Sequence, residues 1–563
     1  MKVKAVGINA RFTHSCLALF YIRHELEKNI PEAHVEICQY TINDPYYTTI
    51  QRLADGDPDL IFFSALIWNS DLVERLVEDL LIMSDSFHLV IGGPQAEIVG
   101  SHFAFSKRVT VFVGNIEVAG GLFFEDLQKR RLQKQYNASF LKTPKKQLDF
   151  PYRPEDFAEG LKNRHIYYES SRGCPFSCTY CLSSSEKGLF HKPLDQVFAE
   201  LLAILSHRPK VVRFLDRTFN DKPERALAIW EFLRNNGEQT LFHFEIAPDR
   251  FSEEMFSFLR TVLPGRFQFE IGIQSTNPDT LSAINRPIDP GLTKRTVARL
   301  RAMENIHLHV DLILGLPFDT VETFYRSFND VFGMQPHYIQ MGLLKLLPDT
   351  IIKQTAKDDG YLASTSPPYA IFASRWLSAA DVRQLYWFCE CVEKFINNRY
   401  FMMFWQHMAQ ADNDMAAFFM ELTDRFAKPG YLWMAATQET LSSFLYDLAD
   451  TLDDVKRARE LLIFDWLRCG HRFLPDHLKD QYSGNDLRRL LYQKLPAEIP
   501  DLYTKSGRAT FLKTSVFHLF SREVLDYLGH QVESEQGIVC FLQKRERSVN
   551  RLNQIKVLSS YDD

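Results

Sequence analysis

Two stretches of the chain alternate continuous apolar runs with helix-length segments, and this rhythm restricts the fold more than any other feature. Residues 2–8, 34–38, 60–66, 87–91 and 109–113 are candidate strands, and 17–28 and 72–83 carry apolar residues at helical spacing. Strands that are apolar on both faces and separated by helices predict a parallel, doubly wound sheet over residues 1–135. Ligands of such sheets bind beyond the carboxyl ends of the strands. A basic, polar stretch follows, with Lys129-Arg130-Arg131 near its start, and 136–165 is expected to be a linker. From 166 to 360 the rhythm returns, with candidate strands at 166–169, 211–215, 242–246, 267–273, 308–314 and 338–344. Six strands with intervening helices predict a partial TIM-type barrel whose site lies at the strand C-termini. Residues 361–563 are expected to be mostly helical, with a terminal strand pair at 537–543 and 554–558. The expected fold class is therefore α/β in its first two units, followed by a helical accessory domain.

Composition excludes several classes. With 65 basic and 71 acidic residues the net charge is −6, which argues against a dedicated nucleic-acid binder. The 45 phenylalanines suit large apolar interiors. No apolar run approaches the length needed to span a membrane. Nine cysteines are sparse and odd in number, so a disulfide framework is not expected. A cytoplasmic location fits these features.

Three of those cysteines fall within eight residues: Ser170-Ser171-Arg172-Gly173-Cys174-Pro175-Phe176-Ser177-Cys178-Thr179-Tyr180-Cys181. Chance places a C-x3-C-x2-C pattern in a chain of this composition about 0.002 times. Three thiolates can hold three irons of a 4Fe–4S cube and leave the fourth open. A structural zinc site would need a fourth ligand, for which His191 is nearest.

This pattern, with Tyr180 before the last cysteine, resembles the radical S-adenosylmethionine (SAM) superfamily. In that family the open iron chelates SAM, and electron transfer yields a 5′-deoxyadenosyl radical. The resemblance extends to three strand ends: Phe244-Glu245-Ile246, Glu270-Ile271-Gly272-Ile273-Gln274 and His309-Val310-Asp311. It implies that Cys174, Cys178 and Cys181 hold the cluster and that Arg286 pairs with the SAM carboxylate. Glu245, Gln274 and Asp311 would then bond its ribose and amino groups, with Tyr180 nearby. Leu316-Pro317-Phe318-Asp319 departs from the glycine and glutamate that many relatives carry after the proline.

The first sheet is similar to cobalamin-binding domains. Ser64-Ala65-Leu66 and Ile91-Gly92-Gly93-Pro94 stand where that family lets the backbone approach the nucleotide tail, which implicates Ser64, Leu66, Gly92 and Gly93. Gly114-Asn115-Ile116-Glu117 matches the family's third turn in part. The Asp-x-His-x-x-Gly motif that ligates cobalt elsewhere is absent, and His14 is expected to cap or pack. Cys389, Cys391, Trp387, Phe388, Phe401, Phe404 and Trp405 are expected in a core.

The resemblance implies a cobalamin-dependent radical SAM methyltransferase acting on an unactivated carbon of an unknown substrate. It would use a 4Fe–4S cluster, SAM, cobalamin and a one-electron reductant such as flavodoxin or ferredoxin. No residue stands out as catalytic in its own right. Alternatives are a non-methylating cyclase or rearrangement enzyme, and a non-enzymatic iron–sulfur or zinc module. A methylthiotransferase is disfavoured, because only Cys16 and Cys38 precede the loop.

Overall fold

A computed structural model describes residues 1–144, 147–411, 414–479, 487, 511, 515–546, 549–550 and 552–558. The first sheet is built from β1 (Lys2–Asn9), β2 (His34–Thr41), β3 (Leu60–Ser64), β4 (His88–Gly92), β5 (Val109–Gly114) and β6 (Gln135–Ala138). All six are parallel, in the order β2-β1-β3-β4-β5-β6. Successive side chains go to opposite faces. Val6, Ile8, Ile61, Phe63, Leu89 and Ile91 fill one core. Val3, Ala5, Leu60, Phe62, Val90 and Phe112 fill the other. The direction of winding reverses at β1 and β3, so the switch-point crevice opens beside Asn9, Ser64 and Gly92.

β6 lies past the expected boundary at residue 135 and continues this sheet, so the start of 136–165 is not linker. The rest of that stretch is tied down as well. Asp156 receives two 2.6 Å bonds from the Arg23 guanidinium of the first helix, Leu17–Asn29. Both partners are buried, which makes this pair costly to break from one side.

The second sheet contains β7 (Ile166–Tyr168), β10 (Val211–Phe214), β11 (Leu241–Glu245), β12 (Phe267–Gln274), β13 (His307–Leu314) and β14 (Tyr338–Leu343). These are parallel in the order β14-β13-β12-β11-β10-β7 and form an open half-barrel. An antiparallel hairpin of β8 (Ser171–Cys174) and β9 (Gly188–His191) is inserted after β7. Phenylalanine dominates the helix-facing side: Phe244, Phe267 and Phe269 pack around Trp230 with ring centroids 5.3–6.2 Å from its own, and Phe242 meets Phe267 at 6.2 Å. The alternate positions face the lumen and are polar: Arg213, His243, Glu245, Gln268, Glu270, His307, His309, Asp311 and Gln340. Closed barrels fill this space with branched apolar side chains. Here it is lined for a polar occupant.

The third region packs helices Ala379–Val392, Met402–Gln410, Met415–Ala427, Gln438–Leu448 and Val455–Arg468 onto the barrel. Phe328 of the barrel meets Phe388 at 5.0 Å and Phe419 at 5.7 Å, so one apolar core crosses the boundary. Cys389, Cys391, Phe388, Phe401, Phe404 and Trp405 are buried in it, and Trp387 packs against it. β14 is an edge strand, and Asn397 satisfies its backbone by accepting from Ile339 N (2.9 Å) and donating to Ile339 O (2.7 Å). β17 (Val516–Ser521), β18 (Gln536–Arg545) and β19 (Asn553–Leu558) form an antiparallel sheet containing the expected terminal pair. Most of the expected helical stretch at 480–514 lies outside the described residues. Among the described residues no helix is long and apolar enough to cross a membrane.

Candidate functional site

The three-cysteine loop is placed by the strand before it and by a buried acid. Asp216, just past β10, accepts from Ser170 N (3.0 Å), Ser170 Oγ (2.5 Å) and Ser171 Oγ (2.7 Å). Burial raises the pKa of this carboxyl, and the three donors oppose that rise. The chain then crosses into the β8–β9 hairpin at Gly173. Its φ of +102° and a would-be Cβ only 2.2 Å from Gly188 O leave room for glycine alone. Cys174 ends β8, and Cys178 and Cys181 follow in the loop.

Between the two strands of the hairpin, the loop is pinned to the C-terminal end of the barrel. Thr179 N donates to Ile284 O, and Ile352 N donates to Thr179 O, both at 3.0 Å. Asn285 Nδ2 donates to Ser177 O (3.1 Å) and Oγ (2.6 Å). Tyr180 packs beside Leu281, Ile284, Leu316 and Ile352. Burial pushes the Cys174 thiol up, while the Phe176 amide and the Thr218 hydroxyl pull it down.

Zinc has a testable geometry here. Tetrahedral thiolates at ~2.3 Å from one ion lie about 3.8 Å apart. The three cysteine sulfurs are not so convergent. Among the described residues the trio with ligand atoms within 4.8 Å of one another is His24, Glu25 and Asp149, where Lys28 already pairs with Asp149 at 2.9 Å. His191 lies on β9 with its ring 3.2 Å from Asp221.

Arg286 brings the loop and the barrel together. Its Nε donates to Gly272 O (3.1 Å), Nη2 reaches the same oxygen, and Nη1 lies 3.5 Å from Cys178 Sγ. Gly272 sits beside a bulge, where Gln274 takes φ +72° and leaves Oε1 buried without a partner. A Cβ on Gly272 would fall 2.3 Å from Gln274 Nε2.

Asp311 pairs in register with Gly272 across the sheet. Its Oδ1 is 3.3 Å from His309 Nε2, yet neither atom completes a hydrogen bond. Burial opposes the charge on His309, but Asp311 and Glu270 outweigh it and raise its pKa. Glu270 is 2.9 Å from His243 Nε2, and burial raises its carboxyl. Glu245, with Arg217 at 3.6 Å, is pushed up to about 7, first by burial and then by Glu270 and Asp311, against Arg217. The sequence candidates Cys178, Tyr180, Gln274, Arg286 and Asp311 are thus contiguous, and Glu245 stands one layer away on β11.

The remaining candidates lie at the crevice of the first sheet. Ser64 ends β3, and Leu66 N donates to Asn69 Oδ1 at 2.7 Å. Gly93 has φ +93°, and a Cβ there would sit 2.5 Å from Ala65 O. Gly92 is different: a Cβ would meet nothing nearer than 3.7 Å. Protein packing therefore does not require glycine at position 92. His14 bonds to the Tyr167 hydroxyl at 2.5 Å, a polar contact between the two sheets.

Sequence reasoning missed four contributors. Asp216 and Thr218 flank the cysteine loop, and Asn220 locks the strand after Glu245 through two 2.8 Å bonds with Ala247. The segment Leu215-Asp216-Arg217-Thr218-Phe219-Asn220 carried the signal, an acid at a barrel strand end. Arg172 was also unassigned. It bridges Glu169 (2.5 Å) and Glu117 (2.7 Å), so the partly matching turn of the first sheet supplies an ion pair two residues from Cys174.

Comparison with known proteins addresses the family and the fold. Residues 168–331 match the Radical SAM superfamily, and 357–541 match DUF4080, a protein family of unknown function. The chain therefore carries a radical SAM domain. Over 380 residues it is 26% identical to a 2-(S-pantetheinyl)-carbapenam-3-carboxylate methyltransferase of Streptantibioticus cattleyicolor, covering 58% of this chain and 53% of the relative. It is 25% identical to the cobalamin-dependent radical SAM methyltransferase TokK of Streptomyces tokunonensis, with the same coverage. The chain thus spans about half the length of the curated relatives it matches. The fold is shared with the cobalamin-dependent radical enzyme OxsB (TM-score 0.59, 12% identity, 83% of each chain). It is also shared with the methyltransferase TsrM from Kitasatospora setae (TM-score 0.56, 15% identity, 76% of this chain and 99% of that one).

Proposed function

We propose that this radical SAM domain chain is a cobalamin-dependent methyltransferase that methylates an unactivated carbon of a small polar molecule. The observation that carries the reading is a juxtaposition. A cysteine trio with no fourth thiol lies beside Arg286 at the C-terminal end of a polar lumen, and the other sheet presents a glycine crevice. Cys174, Cys178 and Cys181 would hold a 4Fe–4S cluster. Arg286, Gln274, Glu245 and Asp311, with Tyr180 nearby, would surround SAM. Ser64, Leu66, Gly92 and Gly93 would border cobalamin.

Together these groups supply one-electron cleavage of a carbon–sulfur bond and a carrier for the methyl group. The chain's own residues bind and orient. Arg286, half-buried and aimed by Gly272 O, presents a guanidinium suited to a carboxylate. The unpartnered Gln274 Oε1 offers an acceptor. The polar lumen supports a substrate rich in hydrogen-bonding groups, because orphaned buried atoms such as His307 Nδ1 and His309 Nε2 are costly until a partner arrives. A one-electron donor such as flavodoxin or ferredoxin, in the cytoplasm, completes the proposal.

The test is anaerobic reconstitution with iron, sulfide and hydroxocobalamin, then reduction in the presence of SAM labelled at the methyl group. Release of 5′-deoxyadenosine with label transferred to cobalamin supports methyl transfer. Release of the nucleoside without label on cobalamin supports the non-methylating alternative. No nucleoside contradicts both.

A further inference from the structure

The DUF4080 match begins at residue 357, and the first stretch of it bonds to both the barrel and the first sheet. Between β15 (Leu362–Ala363) and β16 (Ile371–Ala373) the segment is sewn to the barrel. Leu346 N donates to Tyr369 O (2.9 Å), Ile371 N to Leu344 O (3.2 Å), and the Tyr361 hydroxyl to Gly315 O (3.0 Å). The Ile371 side chain fills the space a Cβ on Gly315 would need, 2.2 Å from that position.

From this anchored loop one side chain reaches the other sheet. The Tyr369 hydroxyl donates to Gln95 Oε1 at 2.6 Å, and the two residues are only 3% and 2% exposed. Tyr369 holds φ +60°, an unfavourable conformation for a bulky residue, kept by its backbone bonds to Ser366 and Leu346. Gln95 closes the glycine turn: its N donates to Ala65 O (3.1 Å), and Ala96 N donates to Gly93 O (3.0 Å). The bond therefore joins the barrel mouth to the turn that bears Gly92 and Gly93.

We infer that residues 361–373 are a strap and that Tyr369 is a positioning residue, holding the glycine turn of the first sheet in the shape that accepts cobalamin. The inference rests on the cofactor reading given above. It assigns a task to the beginning of a domain of unknown function: fixing how the crevice of one sheet faces the lumen of the other. The ring of Tyr369 fills space and its hydroxyl makes the link, so Tyr369→Phe removes the link while keeping the packing.

The experiment compares the full-length wild type, Tyr369→Phe, Gln95→Leu and the double variant by two readouts. Amide hydrogen exchange of the cofactor-free chains reads the turn directly. Exchange at Ala65, Gln95 and Ala96 should accelerate in each variant, while β18 and β19 stay unchanged. Hydroxocobalamin titration followed by visible absorbance should show a dissociation constant raised about three- to tenfold in Tyr369→Phe, as expected for one buried hydrogen bond. The double variant should lose little beyond either single variant, because both remove the same bond. Unchanged exchange at the turn together with wild-type affinity in Tyr369→Phe would overturn the strap. A wild type that binds no hydroxocobalamin would overturn the cofactor reading instead, and the exchange comparison would still decide whether Tyr369 holds the turn.

Discussion

The two parallel sheets use opposite strategies for the same backbone. In the first sheet every residue of β3 is buried, and apolar cores lie on both faces. The ligand site proposed for it is therefore confined to the strand ends, where Gly92 and Gly93 lie. In the barrel, β13 alternates buried Leu308, Val310, Leu312 and Leu314 with the half-buried His307, His309, Asp311 and Ile313. One face holds the fold together and the other is free for chemistry. A binding surface can thus be made at the rim of a sheet or along its face, and the pattern of apolar residues announces which.

The strongest way to break this comparison is at the cysteine loop. Cys178→Ser should abolish the broad iron–sulfur absorption and all SAM cleavage, while circular dichroism stays that of the wild type. Next in size is a contrast across one barrel wall. Phe244→Ala, on the fully buried outer face, should cost about 3–5 kcal/mol in denaturant unfolding. Gln268→Ala, on the lumen face, should stay within about 0.5 kcal/mol. Equal losses would refute the division of labour between the faces.

A smaller contrast separates two glycines of the first sheet. A Cβ on Gly114 would lie 1.9 Å from Ala138 O, at φ +98°, so Gly114→Ala should destabilise by about 1–3 kcal/mol from backbone strain alone. Gly92→Leu should melt like the wild type yet bind hydroxocobalamin at least about tenfold more weakly, because the side chain would occupy ligand space. The smallest effect concerns pH. Glu245 loses its proton near 7 instead of near 4.5, so the native state retains a proton that the unfolded chain has already released. Stability from this group therefore falls as pH rises from about 4.5 to 7. Affinity for cationic SAM should rise through about pH 7, by a few-fold, as the carboxylate forms. Glu245→Gln should flatten that rise in a titration of SAM binding.

Much of the fold was legible because burial leaves a repeating mark. Strands such as β1, β3 and β13 lie within two residues of their expected limits, since each is a run of apolar or alternating side chains. β6 was invisible because Gln135-Tyr136-Asn137-Ala138 is a polar edge strand without that mark. The site divided the same way. Cysteine spacing is local, so Cys174 could be proposed from it, while Arg286 and Asp311 were proposed from the resemblance of the strand-end motifs to a known family. Asp216 was overlooked although its strand end resembled the others. The Arg172–Glu117 pair and the Tyr369–Gln95 link join residues far apart in the chain, and no local pattern encodes such contacts.

The central claim is that the cysteine trio holds a cube with one corner left for SAM. Iron and sulfide analysis of the anaerobically reconstituted chain, with electron paramagnetic resonance of the reduced form before and after SAM, tests it most directly. The account predicts about four irons per chain and a signal that changes when SAM is added. One tetrahedral zinc per chain, or a cluster signal indifferent to SAM, would contradict it.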